Sequence, residues 1–342
     1  MTRFGVVALL LWSVPAGAAA PEPTPVTPDL VAAAEKEGRI VFYTSIELRL
    51  AELLGKSFES RYPGIAVQVE RSGAERIFQR VSQEETSDVH AADVVESSDM
   101  AHALAWKRAG LLAPFVPAVL AAWPAEERDP DGCFAADRAT LSAMGYNTRL
   151  VKPEDAPQSF ADLLDPRWQG KIVKAHPGYS GTIMTATFAT SRALGWDYFQ
   201  KLAGQRVMQV QSATDPPRKL ALGERAVMAD GSEYVLLELK ASGNPVAIVY
   251  PREGTPLVVG SAAVMKAAPH PNAARLFISY LFSRDGQQLM SDVGELRSFN
   301  PEVQEKEGRV PLSQIKLLTA DPVEQEQAIE EVRHRYAAYF GT

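Results

Sequence analysis

The chain has 342 residues and a formal net charge of −7, with 46% hydrophobic and 23% charged residues. That balance describes a folded globular chain, one large domain or two ordinary ones, and its acidity excludes nucleic acid as a partner. The single cysteine, Cys133, excludes an intramolecular disulfide and, with no histidine or basic cluster beside it in sequence, reads as inert.

Residues 1–20 read as a secretory signal peptide: Arg3, an apolar run from Phe4 to Val14, and a small-residue close through Ala18 and Ala20. The run is too short to span a bilayer, and no later run is long and apolar enough to do so. The mature chain is therefore expected in the periplasm. Cys133 lies too far from Ala18 for a lipid-modified mature N-terminus. Residues 21–27, with Pro21, Pro23 and Pro25, read as an extended Pro-rich tether.

From Asp29 the pattern alternates. A short amphipathic helix over 29–37 is closed by Gly38, and 39–45 is a near-continuous apolar run ending in hydroxyls. Helical spacing over 48–62 stops at Pro63 and Gly64. Strand 65–70, helix 74–85, strand 92–98 and helix 100–109 follow. This order predicts an α/β layer with a mainly parallel sheet, in which ligands bind at the carboxyl ends of the strands.

A turn at 129–132 leads to a strand over 141–146 that leaves into a loop at Asn147. A second α/β unit is expected beyond it. It has a short helix after Ser159, a strand near 172, and a long helix running from Ile183. A helix over 196–203, a strand around 207–211 and a helix end followed by a strand within 220–231 come next, then a helix over 232–242 and a strand over 246–250. Strand 258–265 and helix 271–282 close the pattern. The region after Phe299 reads as mostly helical, with the charges of 324–335 on a solvated face. Two α/β lobes suggest a hinged binder with a ligand cleft between them.

The strand ends supply candidate ligand groups. Thr44, Ser45 and Ser98 follow first-lobe strands and are either hydrogen-bonding groups for a small molecule or plain caps. Arg71 and Arg76 are possible counter-charges. The second-lobe segment from His176 to Thr182 is the stronger signal. Ser180, Gly181 and Thr182 fall at a helix N-terminus, where free N–H groups and the positive dipole end favour an anion. Tyr179 can stack on a ligand or hydrogen-bond it. His176 is either a donor to an anion or a loop histidine. Asp230, at the next strand end, can reach an amine or hydroxyl. Gly178 to Thr182 is also a near-miss to the G-x-S-x-G elbow of hydrolases, with Thr182 where the last glycine belongs. Neither His270, between two prolines, nor His334, in a charged helix, suits a general base, so no enzyme activity is expected.

Read in order, the segments 40–45, 92–99, 145–148, 162–172, 251–255 and 269–277, with 283–287, resemble the periplasmic substrate-binding proteins of ABC importers. The family is extracellular solute-binding family 1, in its ferric-iron-binding-like branch, and the resemblance covers about residues 28–320. It implies a type II periplasmic-binding fold, two α/β lobes joined by two crossing strands. Lobe one would be 28–138 plus 252–342, and lobe two 139–251. It further implies a monomer that closes on a small anionic solute (a carboxylate, phosphate or phosphonate), needs no cofactor, and delivers its load to an inner-membrane ABC permease. Ferric ion is the alternative cargo. Iron-binding members carry two adjacent tyrosines, and the matching positions here are Glu233 and Tyr234. Their histidine ligand is missing, leaving Glu47 as a further oxygen donor. Tyr234 is otherwise a packed interlobe aromatic.

Overall fold

The computed structural model describes residues 20–341, so the expected signal peptide, Ala20 apart, lies outside the described residues. Residues 21–27 are extended but not loose. The Thr24 N–H donates to the Val116 carbonyl at 2.8 Å, and its carbonyl accepts from Ala118 at 2.9 Å.

The first sheet contains β1 (Arg39–Thr44), β2 (Ala66–Arg71), β3 (Val94–Ser97), β4 (Ala135–Leu141), β10 (Thr255–Val264) and β11 (Leu317–Leu318). Its order is β11-β10-β3-β1-β2, with β4 on β10. β1 runs parallel to β2 and β3, as its helical crossovers α2 (Leu48–Arg61) and α3 (Ala74–Thr86) require. β10 is antiparallel to both β3 and β4, so the sheet is mixed rather than mainly parallel. The reason is topological: β10 arrives from the second sheet, not from a crossover helix. Its core gathers Phe42, Phe58, Phe277 and Tyr280, with Phe277 set edge-on to Phe42 and Phe58 at 5.0 and 5.2 Å. α1 (Pro28–Glu37) and α9 (Pro271–Leu281) pack together there.

The second sheet has the order β7-β6-β8-β5-β9, from β5 (Met144–Asn147), β6 (Ile172–Ala175), β7 (Met208–Val210), β8 (Val227–Met228) and β9 (Val246–Val249). The expected single strand over 141–146 is two. Ser142 donates to the Pro256 carbonyl and Ala143 to that of Gly231, so the backbone changes sheets between these residues. α7 (Asp215–Ala221) and α8 (Glu233–Ala241) pack on this sheet, α6 (Trp196–Ala203) adds Phe199 and Leu202 to its core, and α5 (Gly181–Leu194) lies against α6 and β10.

Residues 300–316 are turns and loop with one short 3-10 piece, not helix. Beyond them α11 (Pro322–Phe340) packs on α4 (Met100–Arg108) and also on α5 and α6. Its charged stretch is therefore solvated on one side only, since Gln325, Ala328, Val332 and Tyr336 are buried. Among the described residues no helix is long and apolar enough to cross a membrane.

Candidate functional site

The carboxyl ends of β1, β2 and β3 face the starts of the second-lobe helices across a narrow cleft of about 30 Å³. Its first-lobe wall carries Ser45, Arg71, Ser98, Arg138 and Thr140, and its second-lobe wall Tyr179, Ser180, Thr182, Ser212, Thr214, Ser232 and Tyr234. Among the described residues no carboxylate and no imidazole lines it.

Glu96 organises the first wall from behind. It accepts from Thr44 Oγ1 at 2.6 Å and from the N–H groups of Ser45 and Ile46 at 2.8 and 3.2 Å, and it pairs with Arg138. Ser45 Oγ in turn accepts from the Ser98 N–H at 2.9 Å and from Arg138 Nη2 at 3.3 Å. Arg138 also faces Asp137 at 3.2 Å. One guanidinium cannot compensate two buried carboxylates fully. Burial first, and Glu96 second, push Asp137 up to about 7 against the pull of Arg138. The unfolded chain ionises this carboxyl near the ordinary value of about 3.9, so the native state holds the proton longer, and stability falls as pH rises from about 4 to 7. Asp137→Asn should flatten that fall in denaturant midpoints taken across the window. An unchanged slope would assign it to other groups.

On the second wall, Ser180 caps α5, its hydroxyl accepting from the Ile183 N–H at 3.4 Å. The caps of α3 and α8, Gly73 and Ser232, make no side-chain capping bond, and both border the cleft. Three helix N-termini thus converge, each an end of positive potential. Burial pushes the Tyr234 phenol up, opposed by Arg138 and Arg71.

The structure sorts the expected residues. Ser45, Arg71, Ser98, Tyr179, Ser180, Thr182 and Tyr234 line the cleft. Thr44 does not; its hydroxyl is spent on Glu96. Gly181 adjoins the first lobe directly, so its missing side chain admits Asp99 and Ala74 rather than a ligand. Arg76 spans the cleft's rim, donating to Gln211 at 2.9 Å with its guanidinium 5.7 Å from the Tyr179 ring centre. His176 accepts from the Gly178 N–H through Nδ1 at 2.9 Å and packs edge-on against Tyr336, outside the lining. Burial lowers its basicity. Asp230 pairs with buried Lys174 at 2.6 Å.

The three carboxylate and phenol groups considered for iron do not converge. Glu233 is enclosed by Arg297 at 2.9 Å, Arg309 at 3.0 Å and the Tyr250 hydroxyl at 2.6 Å. Glu47 caps α2 and stands 3.7 Å from Arg218. Of the expected iron set, Tyr234 alone lines the cleft. For the hydrolase reading, Ser180 has no histidine beside it in the lining, and His270 is bound to Asp93 through Nδ1 at 2.9 Å.

Arg138, Ser212 and Thr214 were not anticipated. Ser212 and Thr214 follow β7 as Ser45 follows β1, so the strand-end rule would have found them. Arg138 sits inside a strand, where a charge reads as an interruption.

The profile of the bacterial extracellular solute-binding proteins matches residues 54–314. The chain belongs to that family. A protein of known structure, the periplasmic binding protein AfuA from Actinobacillus pleuropneumoniae with fructose-6-phosphate bound, superposes with a TM-score of 0.82 at 24% identity. That likeness covers 89% of this chain and 98% of AfuA, and it shows the type II periplasmic-binding fold. Iron uptake protein A1 of Synechocystis sp. is 23% identical over 67% of this chain and 67% of its own. A putative 2-aminoethylphosphonate-binding periplasmic protein of Salmonella typhimurium is 25% identical over 67% of this chain and 68% of its own. This solute-binding protein is thus similar to proteins named for fructose-6-phosphate, iron uptake and 2-aminoethylphosphonate.

Proposed function

We propose that this solute-binding protein is the periplasmic, monomeric capture component of an ABC importer for a small anion of the phosphate, phosphonate or carboxylate type. The two lobes close on the solute and present it to an inner-membrane permease. The observation that carries the reading is the cleft's one-sided chemistry among the described residues: Arg71, Arg138, eight serine and threonine hydroxyls and two phenols, without a carboxylate or imidazole. Guanidinium forks match phosphate and carboxylate oxygens in pairs, and the helix starts add N–H donors. The sugar-phosphate and phosphonate relatives support the same class.

A ferric cargo with a synergistic anion is the second reading. Two phenols, Tyr179 and Tyr234, do line the cleft, and an iron-uptake relative exists.

Ligand-free protein screened by thermal shift against inorganic phosphate, 2-aminoethylphosphonate, fructose 6-phosphate, citrate and ferric citrate separates the two. A metal-free anion should raise Tm. Arg71→Ala should then weaken that anion about 10- to 100-fold, since a hydrogen bond to a charged group contributes about 1.5–3 kcal/mol. A shift with ferric citrate alone, and a visible phenolate band lost in Tyr234→Phe, would make iron the cargo.

A further inference from the structure

Behind the seam where Gly181 meets the first lobe, three side chains that do not line the cleft converge. Glu75 stands in the first turn of α3, Asp99 caps α4, and His102 lies within the first turn of α4. One donor atom from each lies within 4.8 Å of the others, and none of the three residues is more than 1% exposed.

Each side chain is held by one atom and leaves another free. Glu75 Oε2 accepts from Arg333 at 2.5 Å, while Oε1 has no hydrogen-bond partner. Asp99 Oδ1 accepts from the Ala101 N–H at 2.9 Å and from Gln325 at 2.7 Å, while Oδ2 has none. His102 Nδ1 lies 2.8 Å from Ser97 Oγ, which turns Nε2 toward Glu75 Oε1 at 3.3 Å. The ring is fixed by stacking on Phe78, with centroids 4.5 Å apart. Asp99 Oδ2 is left without a partner in a dry interior and Glu75 Oε1 faces only the imidazole at 3.3 Å; such an arrangement is costly and calls for an explanation.

We infer that Glu75 Oε1, Asp99 Oδ2 and His102 Nε2 form a binding site for a divalent first-row transition ion of the zinc class, separate from the solute cleft. One imidazole nitrogen with two carboxylate oxygens is a borderline donor set suited to such ions and too nitrogen-rich for calcium. Ser97, Arg333 and Gln325 already stand where outer partners orient metal ligands. Donors about 2.1 Å from a tetrahedral ion stand about 3.4 Å apart, so side-chain rotations of roughly an ångström complete the site. An ion there would tie the starts of α3 and α4 together and, through Arg333 and Gln325, hold α11 to them.

The test uses chelator-stripped protein refolded with or without ZnCl2, with CaCl2 as the comparison. One equivalent of zinc should bind by calorimetry and raise Tm, and calcium should do neither. His102→Gln should abolish the zinc shift. Ser97→Ala, which removes the hydroxyl that holds the imidazole and accepts from the Asp99 N–H at 3.1 Å, should weaken zinc about 10- to 100-fold. Exposed His90, beside Asp88 at 3.2 Å and Glu85 at 3.6 Å, is the place for an adventitious ion, so His90→Asn should change nothing. Anomalous diffraction from zinc-loaded wild-type crystals locates the ion without any variant, should His102→Gln fail to fold. No bound zinc, an ion at His90, or binding that survives His102→Gln would overturn the site. None of these outcomes depends on which solute fills the cleft.

Discussion

Replacing Gly181 by alanine should weaken solute capture on the order of ten- to a hundredfold while leaving the solute's own contacts in place. A Cβ at this position would stand 2.8 Å from Asp99 Cβ, 3.0 Å from Ala74 Cβ and 3.1 Å from Ser98 Oγ, three first-lobe atoms, though Gly181 itself opens a second-lobe helix. Added volume in a packed seam costs about 1–3 kcal/mol, and here only the closed arrangement would bear it. An open arrangement with the lobes apart would be spared, so the substitution should shift the balance between the two rather than unfold the chain. Gly73→Ala is an independent check. Its Cβ would fall 2.5 Å from the Tyr179 carbonyl oxygen, across the same seam from the opposite side. Both variants should show a larger radius of gyration by small-angle scattering and lower affinity for whichever anion stabilises the wild type. Unchanged affinity in both would mean that capture does not require this seam to close.

The first lobe's helices and parallel strands were legible because they follow the simplest local rules. Apolar runs end in hydroxyls, helices stop at Gly38 and Pro63, and periodicity is clean from residue 29 to 109. What was not legible depends on partners distant in sequence. β4 carries Asp137 and Arg138 in its middle, so it lacks the look of a buried strand, yet all seven residues are buried because Glu96, some forty residues earlier, shares the charge. The same limit applies to the site. Hydroxyls at strand ends point to the cleft, and seven of the expected side chains line it. Asp230 and Glu233 occupy equally suggestive positions, but Lys174 and the Arg297–Arg309 pair claim them, and no local pattern announces that. Gly181 was legible as a helix start. That its bareness serves an approach between lobes follows only from seeing what lies opposite.

Glu233→Gln should be the most destabilising single change in the chain's polar interior, lowering stability by roughly 3–5 kcal/mol. The carboxylate is fully buried, and Arg297 and Arg309 point at it from the segment that follows α10 (Arg284–Asp292). Glu233 starts α8 in the second lobe, and Arg297 also bridges its backbone to Ala139 of β4 in the first, so the cluster joins the two lobes where the chain leaves the first sheet after β4 and returns to it at β10. Removing the negative charge would leave two guanidinium groups with neutral carbonyl acceptors, Val310 at 2.9 Å and Leu296 at 3.2 Å, and half-exposed Glu305 at 3.2 Å from Arg297 as the remaining ion-pair partner. Tyr250→Phe deletes one neutral donor to the same carboxylate and should cost only about 1 kcal/mol. Denaturant midpoints on both variants give the comparison. Ferric citrate titrated into Glu233→Gln adds a second reading, because a carboxylate serving as an iron ligand would lose metal affinity in proportion, whereas a structural anion would lose stability first. Equal stability of the two variants would remove Glu233 from the frame that holds the lobes and return it to the candidates for the cleft.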